Sequence, residues 1–105
     1  MSESKNIVVI DGLKATITPA GDIVASTVQA LKPEMKTLVE QGIKDLVVDL
    51  SNTTIVDSTG IGLLISAHNT VAKRGGALSV TNISDDISEL FKAMRIDKHL
   101  IVVSN

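Results

Sequence analysis

Apolar runs that are typical of β-strands alternate along this chain with stretches of helical periodicity. Five strands are predicted, at Asn6–Ile10, Leu13–Thr18, Asp45–Leu50, Ala77–Thr81 and Leu100–Val103. Three amphipathic helices fall between the second strand and the last, which gives the order β-β-α-β-α-β-α-β. A strand, a helix and another strand in succession form a right-handed crossover between parallel strands. The pattern therefore predicts an α/β fold, a small, mixed and mostly parallel β-sheet with helices packed against it.

Turn and cap signals set the expected limits of these elements. Asp11-Gly12 predicts a tight antiparallel hairpin between the first two strands. The strand Asp45–Leu50 is predicted to be central and buried on both faces. The first helix is predicted to start near Thr27, with Ser26 and Gln29 as a capping box. Because Pro33 removes a backbone hydrogen bond, we expect a kink there or a helix that begins near Lys32.

Length and composition limit what the chain can do. Its 105 residues, 44% of them hydrophobic, are enough for one core but not for two, so we expect a single domain over residues 1–105. The net charge of −2 leaves no basic footprint for nucleic acid. No apolar run reaches the length of a membrane span, and the start lacks the pattern of a signal peptide. The absence of cysteine excludes disulfides and thiolate metal sites. We expect a cytoplasmic protein that binds neither nucleic acid nor membrane.

The segment Asp57–Gly62, with the sequence Asp-Ser-Thr-Gly-Ile-Gly, is where chemistry is expected. Sites in open α/β sheets form beyond the carboxyl ends of the strands, beside helix N-termini. Ser58 precedes the second helix and is predicted to be its N-cap. A phosphate on Ser58 would be tolerated there, because a helix N-terminus favours an anion. The residues alone leave another interpretation open, in which Ser58 is a cap and nothing more.

The block from Val47 to Gly62 resembles the signature of STAS domains, and it is most similar to that of bacterial anti-sigma factor antagonists. The Asp57–Gly62 part is the specific one. The resemblance extends over most of the chain, and matches are found at Gly21-Asp22, Gly75-Gly76, Leu78–Val80 and Ser84–Met94. One departure lies in the turn after the second strand, where the family pattern is roughly Gly-acid-Leu-Asp and Val24 replaces the second acid.

The resemblance implies a binding protein without catalytic activity, cofactor or metal, which is switched by phosphorylation. Ser58 would be the acceptor, with Thr59 as the fallback. The partner would be an anti-sigma factor that is also a serine kinase, and a serine phosphatase would restore the unmodified form. Sigma-factor-dependent transcription would be the process regulated. The expected partner-binding residues are Asp22, Thr53, Thr54, Asp57, Ser58, Thr59, Gly60 and Leu63.

Leu63 belongs to this set because it falls off the apolar stripe of the second helix. It is predicted to be exposed about one turn from Ser58, where a partner could contact it. The alternative to the switch is a constitutive STAS scaffold, or a subunit of a signalling or lipid-transport complex. The sequence does not fix the oligomeric state, the sigma factor or the kinase.

Enzymatic interpretations rank lower. Ser58 lacks the Gly-x-Ser-x-Gly pattern of a nucleophile elbow, and only His68 and His99 could serve as its base. His68 is expected on the buried stripe of the second helix. Gly60-x-Gly62 lacks the third glycine and the acid of a dinucleotide site. Asp49 ends a strand, as the phosphoacceptor of a receiver domain does, but it is predicted to cap a turn.

Overall fold

A computed structural model describes residues 6–95 and the backbone of residues 101–102. The elements along the chain are β1 (Ile7–Asp11), β2 (Lys14–Thr18), α1 (Ala25–Glu40), β3 (Asp45–Asp49), α2 (Ser58–Lys73), β4 (Ala77–Thr81), α3 (Asp85–Ala93) and β5 (Ile101–Val102). The strands form one sheet in the order β1-β2-β3-β4-β5. β1 and β2 are antiparallel, whereas all other neighbours are parallel. The predicted fold class and element order are confirmed. Leu100, Val103 and His99 lie outside the described residues.

The first hairpin closes as the sequence predicts. Asp11 pairs with Lys14 across a two-residue loop. Gly12 opens this loop with a φ of +62°, and Leu13 has an ordinary negative φ. A positive φ at the first loop residue alone is the geometry of a type II′ turn, whose twist matches that of the paired strands. The turn therefore holds β1 at the edge of the sheet, beside β2.

The core lies on one face of the sheet. The side chains that β2, β3 and β4 direct to this face are all fully buried, and they are Ala15, Ile17, Leu46, Val48, Leu78 and Val80. They form one cluster with the buried residues of the three helices. The prediction that β3 is buried on both faces is wrong. Val47 shares its face with Asp45 and Asp49, and it is only half-buried. Its strand alternates with period two.

α1 begins earlier than the sequence predicts. It starts at Ala25, two residues before the predicted start near Thr27, and it runs through Pro33 without interruption, so a start near Lys32 is wrong. The predicted box of Ser26 and Gln29 is also wrong, because the hydroxyl of Thr27 accepts the N–H of Val24 at 2.9 Å. α3 begins at Asp85. The Ser84 hydroxyl accepts the N–H of Ile87 at 3.2 Å, which makes Ser84 its N-cap.

Candidate functional site

The carboxylate of Asp57 joins the starts of two helices. One oxygen accepts the N–H of Gly60 at 2.8 Å, in the first turn of α2. The other accepts the N–H of Ala25 at 3.1 Å, the first residue of α1. Asp57 is therefore the N-cap of α2, and the prediction that Ser58 has this role is wrong. An aspartate can take both donors because its carboxylate has two oxygens, whereas a serine has only one.

The start of α1 is capped by a residue from another loop. Val24 is the N-cap residue of α1, and its side chain makes no cap hydrogen bond. It stands where the STAS pattern carries an acid, the residue type that caps a helix best. In this chain the second oxygen of Asp57 serves the first amide of α1 instead. The start of α1 is therefore capped although Val24 is apolar. The Asp57 carboxylate also couples the start of α1 to the loop before α2.

The backbone of residue 23 holds the two loops together. Ile23 forms a parallel bridge with Val56. Its N–H donates to the carbonyl of Ile55 at 3.0 Å, and its own carbonyl accepts the N–H of Asp57 at 3.2 Å. α2 then passes so close that a Cβ on Gly60 would lie 2.2 Å from the Ile23 carbonyl oxygen. Any side chain at position 60 would therefore overlap with Ile23, so this packing requires glycine. Gly60 is buried rather than available to a partner.

Asp22 fixes the loop that precedes α2. Its Oδ1 accepts the backbone N–H of Ile55 at 3.0 Å and that of Thr54 at 3.1 Å, together with the Thr54 hydroxyl at 3.1 Å. The hydrogen bonds from Ile55 and then Thr54 lower the pKa of Asp22, and burial offsets this only in part. Thr53 reinforces the link, because its hydroxyl donates to the Gly21 carbonyl at 2.8 Å. Only 4% of Thr53 is exposed, so it is a structural residue.

Ser58 and Thr59 are exposed, and no hydrogen bond to the described residues fixes their side chains. They occupy the first two positions of α2, and both are exposed. Neither their hydroxyls nor their N–H groups have a hydrogen-bond partner among the residues that the structure describes. One turn further, a Cβ on Gly62 would meet open space. We call Ser58, Thr59 and Gly62 the bare face of α2. Together they offer a hydroxyl pair, free amides and room for another molecule.

Leu63 does not belong to this face, and the prediction that it is exposed is wrong. It is 7% exposed and lies in the core cluster. α1 packs beside α2, so the apolar surface of α2 is wider than the sheet-facing stripe alone. Leu63 lines a groove of about 250 Å³ between the two helices, together with Lys32, Met35, Lys36, Val39, Ser66, Ala67 and Thr70.

Of the two histidines, only His68 lies among the described residues, and it is far from Ser58. His68 is ten residues further along α2, which is about 15 Å along the helix axis. Its Nδ1 is buried and has no hydrogen-bond partner among the described residues. Over the same residues, no group of three or more His, Asp or Glu is placed to hold a metal ion. The described helices include none with the length and apolar run that a membrane crossing requires.

Asp49 caps the turn that follows β3, as predicted. Its Oδ1 accepts the N–H of Ser51 at 2.9 Å and the side-chain amide of Asn82 at 3.0 Å. Burial raises the pKa of Asp49, but the hydrogen bonds from Asn82 and Ser51 together outweigh it, and the net pKa is lowered. The side chain ties the ends of β3 and β4 together.

Comparison with known proteins places this geometry in a family. A model of the STAS domain matches residues 4–105. An anti-sigma-B factor antagonist of Bacillus subtilis (strain 168) is 35% identical over 72 residues, which is 69% of this chain and 65% of that protein. The chain thus spans about two thirds of the length of this relative.

Solved structures show the same fold at lower identity. An anti-sigma factor antagonist from Mycobacterium paratuberculosis superposes with a TM-score of 0.85 at 20% identity, over 96% of this chain and 86% of that one. The Bacillus antagonist SpoIIAA in its unphosphorylated form gives 0.76 at 15% identity, over 95% and 88%. Its phosphorylated form gives 0.73 at 14% identity, over 95% and 92%. The family match over nearly the whole chain and the shared fold show that this chain belongs to the STAS domain family.

Proposed function

We propose that this chain is an anti-sigma factor antagonist whose binding to its partner is switched by phosphorylation of Ser58. The unmodified form binds an anti-sigma factor that is also a serine kinase, and the phosphorylated form releases it. A serine phosphatase restores the first state, and sigma-factor-dependent transcription is the output. The single observation that supports this is the Ser58 hydroxyl, which is exposed and unpartnered among the described residues. The named functions of the relatives point to the same role.

The fold can accept a phosphate at Ser58 without rearrangement. The modification adds about 1.5 to 2 negative charges. The amides of Ser58 and Thr59 have no acceptor among the described residues, and they lie at the positive end of α2. Asp57 keeps its hydrogen bond to Gly60, so the cap of the helix stays in place. We therefore expect the switch to act on the partner and to leave the fold of this chain intact.

The partner would contact the bare face of α2 and the exposed Thr54 beside it. Asp22 and Asp57 position this surface from below, through their hydrogen bonds to Thr54 and Gly60. A phosphate at its centre would oppose acidic groups of the partner. A clash of about 2 to 4 kcal/mol weakens binding some thirty- to a thousandfold. This is enough to turn a regulatory complex on and off.

The test compares three variants in binding to a kinase-type anti-sigma factor from the same genome, by isothermal titration calorimetry. Ser58→Asp should weaken binding more than about thirtyfold, and Ser58→Ala should bind within about threefold of the wild type. Asn69→Asp is the matched control. Asn69 is exposed on the same side of α2, about 16 Å further along its axis, and the added charge there should leave binding unchanged.

Mass spectrometry identifies the acceptor. Incubation with the kinase and ATP should add about 80 Da at Ser58, and Ser58→Ala should abolish this addition. If Ser58→Ala still gains the mass and the added group maps to Thr59, Thr59 is the acceptor. If neither residue is modified and Ser58→Asp binds as well as Ser58→Ala, the switch is refuted. A constitutive STAS scaffold or complex subunit would then be the better description.

A further inference from the structure

The edge strand β1 carries apolar side chains on both of its faces, and all of them are exposed. Ile7, Val8, Val9 and Ile10 are exposed by between 37% and 60%, and Leu13 in the adjoining turn by 63%. Sheet edges of soluble proteins normally carry proline or charged residues such as lysine, which block pairing with another strand. A strand that is apolar on both faces is typical of a position inside a sheet. β1 therefore has the composition of an interior strand at an edge position.

Rows of apolar side chains cross the core face of the sheet from β4 to β1, and only their members on β1 are exposed. Val8 is level with Ile17, Val48 and Val80 on adjacent strands, and Ile10 is level with Ala15, Leu46 and Leu78. The members of these rows on β2, β3 and β4 are fully buried, whereas Val8 and Ile10 are exposed. The helices of one copy bury these rows on β2, β3 and β4 but leave them exposed on β1. Apolar surface of this kind gains stability when another layer or strand covers it.

The hairpin also fixes which backbone groups of β1 remain free. The residues that flank a two-residue loop exchange both hydrogen bonds, so Asp11 and Lys14 form such a pair. The pairs alternate along an antiparallel ladder, so Val9 also bonds to β2. The N–H and C=O groups of Val8 and Ile10 then point away from the sheet. β1 offers a ladder of donors and acceptors along the same edge as its apolar side chains.

We infer that β1 is the contact between two copies of this chain, which pair through it antiparallel into one continuous sheet. The pairing that uses all five residues of β1 places Val9 opposite its own copy at the two-fold axis. Val8 then lies opposite Ile10 of the second copy, and these two residues exchange the hydrogen bonds that each edge leaves free. The apolar rows of the core pass through this contact from one copy to the other. This inference does not depend on the proposed role of Ser58.

A second copy fits this edge because the match is reciprocal. A two-fold axis normal to the sheet brings core face to core face, so Val8 and Ile10 meet only apolar partners of the same kind. The pairing covers β1 in both copies and buries on the order of 1,000 Å² in total, near the lower limit for a specific interface. The net charge of −2 per chain opposes it only weakly. These quantities correspond to a reversible dimer with a micromolar dissociation constant.

Sedimentation velocity over a range of concentrations tests this arrangement. The wild type should move with increasing concentration from the 11.1 kDa of one chain towards twice that mass. Val9→Lys places like charges opposite each other at the axis and should weaken the dimer more than about tenfold. Val8→Pro should do the same without a charge, because it removes an N–H that points outward and proline is tolerated at edges. Ile55→Lys is the control, since Ile55 is 56% exposed but belongs to the loop between β3 and α2 rather than to β1, and the change should leave the dimer intact.

A cross-link tests the predicted pairing directly. The chain has no cysteine, so Val9→Cys introduces a single thiol. Opposite residues in such a pair have Cα atoms about 4.5 to 5.5 Å apart, within the range of a disulfide. Mild oxidation should link Val9→Cys at least about tenfold faster than Ile55→Cys. A wild type that stays monomeric at all concentrations, or a Val9→Cys chain that links no faster than the control, would overturn the inference. A foreign strand would then be the remaining occupant.

Discussion

Two glycines of the Asp57–Gly62 segment should respond in opposite ways to the same substitution. Gly62→Ala places its new Cβ in open space within α2, so the helix gains the preference of alanine over glycine, about 1 kcal/mol. Gly60→Ala places its Cβ 2.2 Å from the carbonyl oxygen of Ile23. Relief of this overlap moves α2 by about 1 Å away from the loop, and overpacking of this kind costs about 1 to 3 kcal/mol or more.

The expected difference between the two variants is therefore about 3 kcal/mol in the free energy of unfolding. For a chain of this size, that separates their melting temperatures by about 12 °C, with the wild type between them. Urea unfolding followed by circular dichroism measures the free energy, and each variant controls for the helix preference of the other. If both variants change the free energy of unfolding in the same direction by similar amounts, the close approach of α2 to Ile23 is not the reason that residue 60 is glycine.

Substitutions at three further residues test the hydrogen bonds that build the site. Asp57→Ala should lower the free energy of unfolding by about 2 kcal/mol, since one carboxylate caps two helices, and Asp57→Ser should recover about half, because it can cap only α2. Equal losses in urea titrations of both variants would rule out the double cap. The pKa of Asp22 is lowered in the folded state, so its contribution is complete above the ordinary value of 3.8 and is lost as the pH falls through the lowered pKa. The stability advantage of the wild type over Asp22→Asn should be constant above about pH 5 and shrink in acid, and an advantage independent of pH would contradict this. Thr53→Val should cost about 1 to 2 kcal/mol in thermal unfolding by leaving the Gly21 carbonyl without its donor, whereas Thr53→Ser should stay near the wild type.

The effect of Ser58 variants on binding can be measured without a large change in stability, because Ser58 is not the N-cap of α2. Its hydroxyl makes no hydrogen bond among the described residues, so Ser58→Ala should change stability by less than about 0.5 kcal/mol. The sequence predicts a loss of about 1 kcal/mol for the same change, on the assumption that the serine caps the helix. The two expectations differ by more than the error of a thermal unfolding experiment, and a binding change can be separated from a folding change.

The site was predictable where the signal is local. The segment before α2 attracts attention because a short polar run with two glycines separates a strand from an apolar helix, and its structure indeed exposes Ser58 and Thr59. The sequence could not show that Asp57 serves two helices, because its second donor, Ala25, is 32 residues away in the chain. The prediction that Leu63 is exposed fails for a related reason. Periodicity defines a stripe relative to a single neighbour, but α2 packs against both the sheet and α1.

The kind and order of the elements follow from local patterns in the chain, because strand and helix periods are properties of neighbouring residues. The hairpin at Asp11-Gly12 follows in the same way, because it depends on the conformation of a single glycine. Long-range packing sets which glycine lies in a close contact, which loop caps α1, and that the apolar side chains of β1 are exposed at the edge. These features depend on the distances between segments that are far apart in the chain, and no local pattern of side chains encodes those distances.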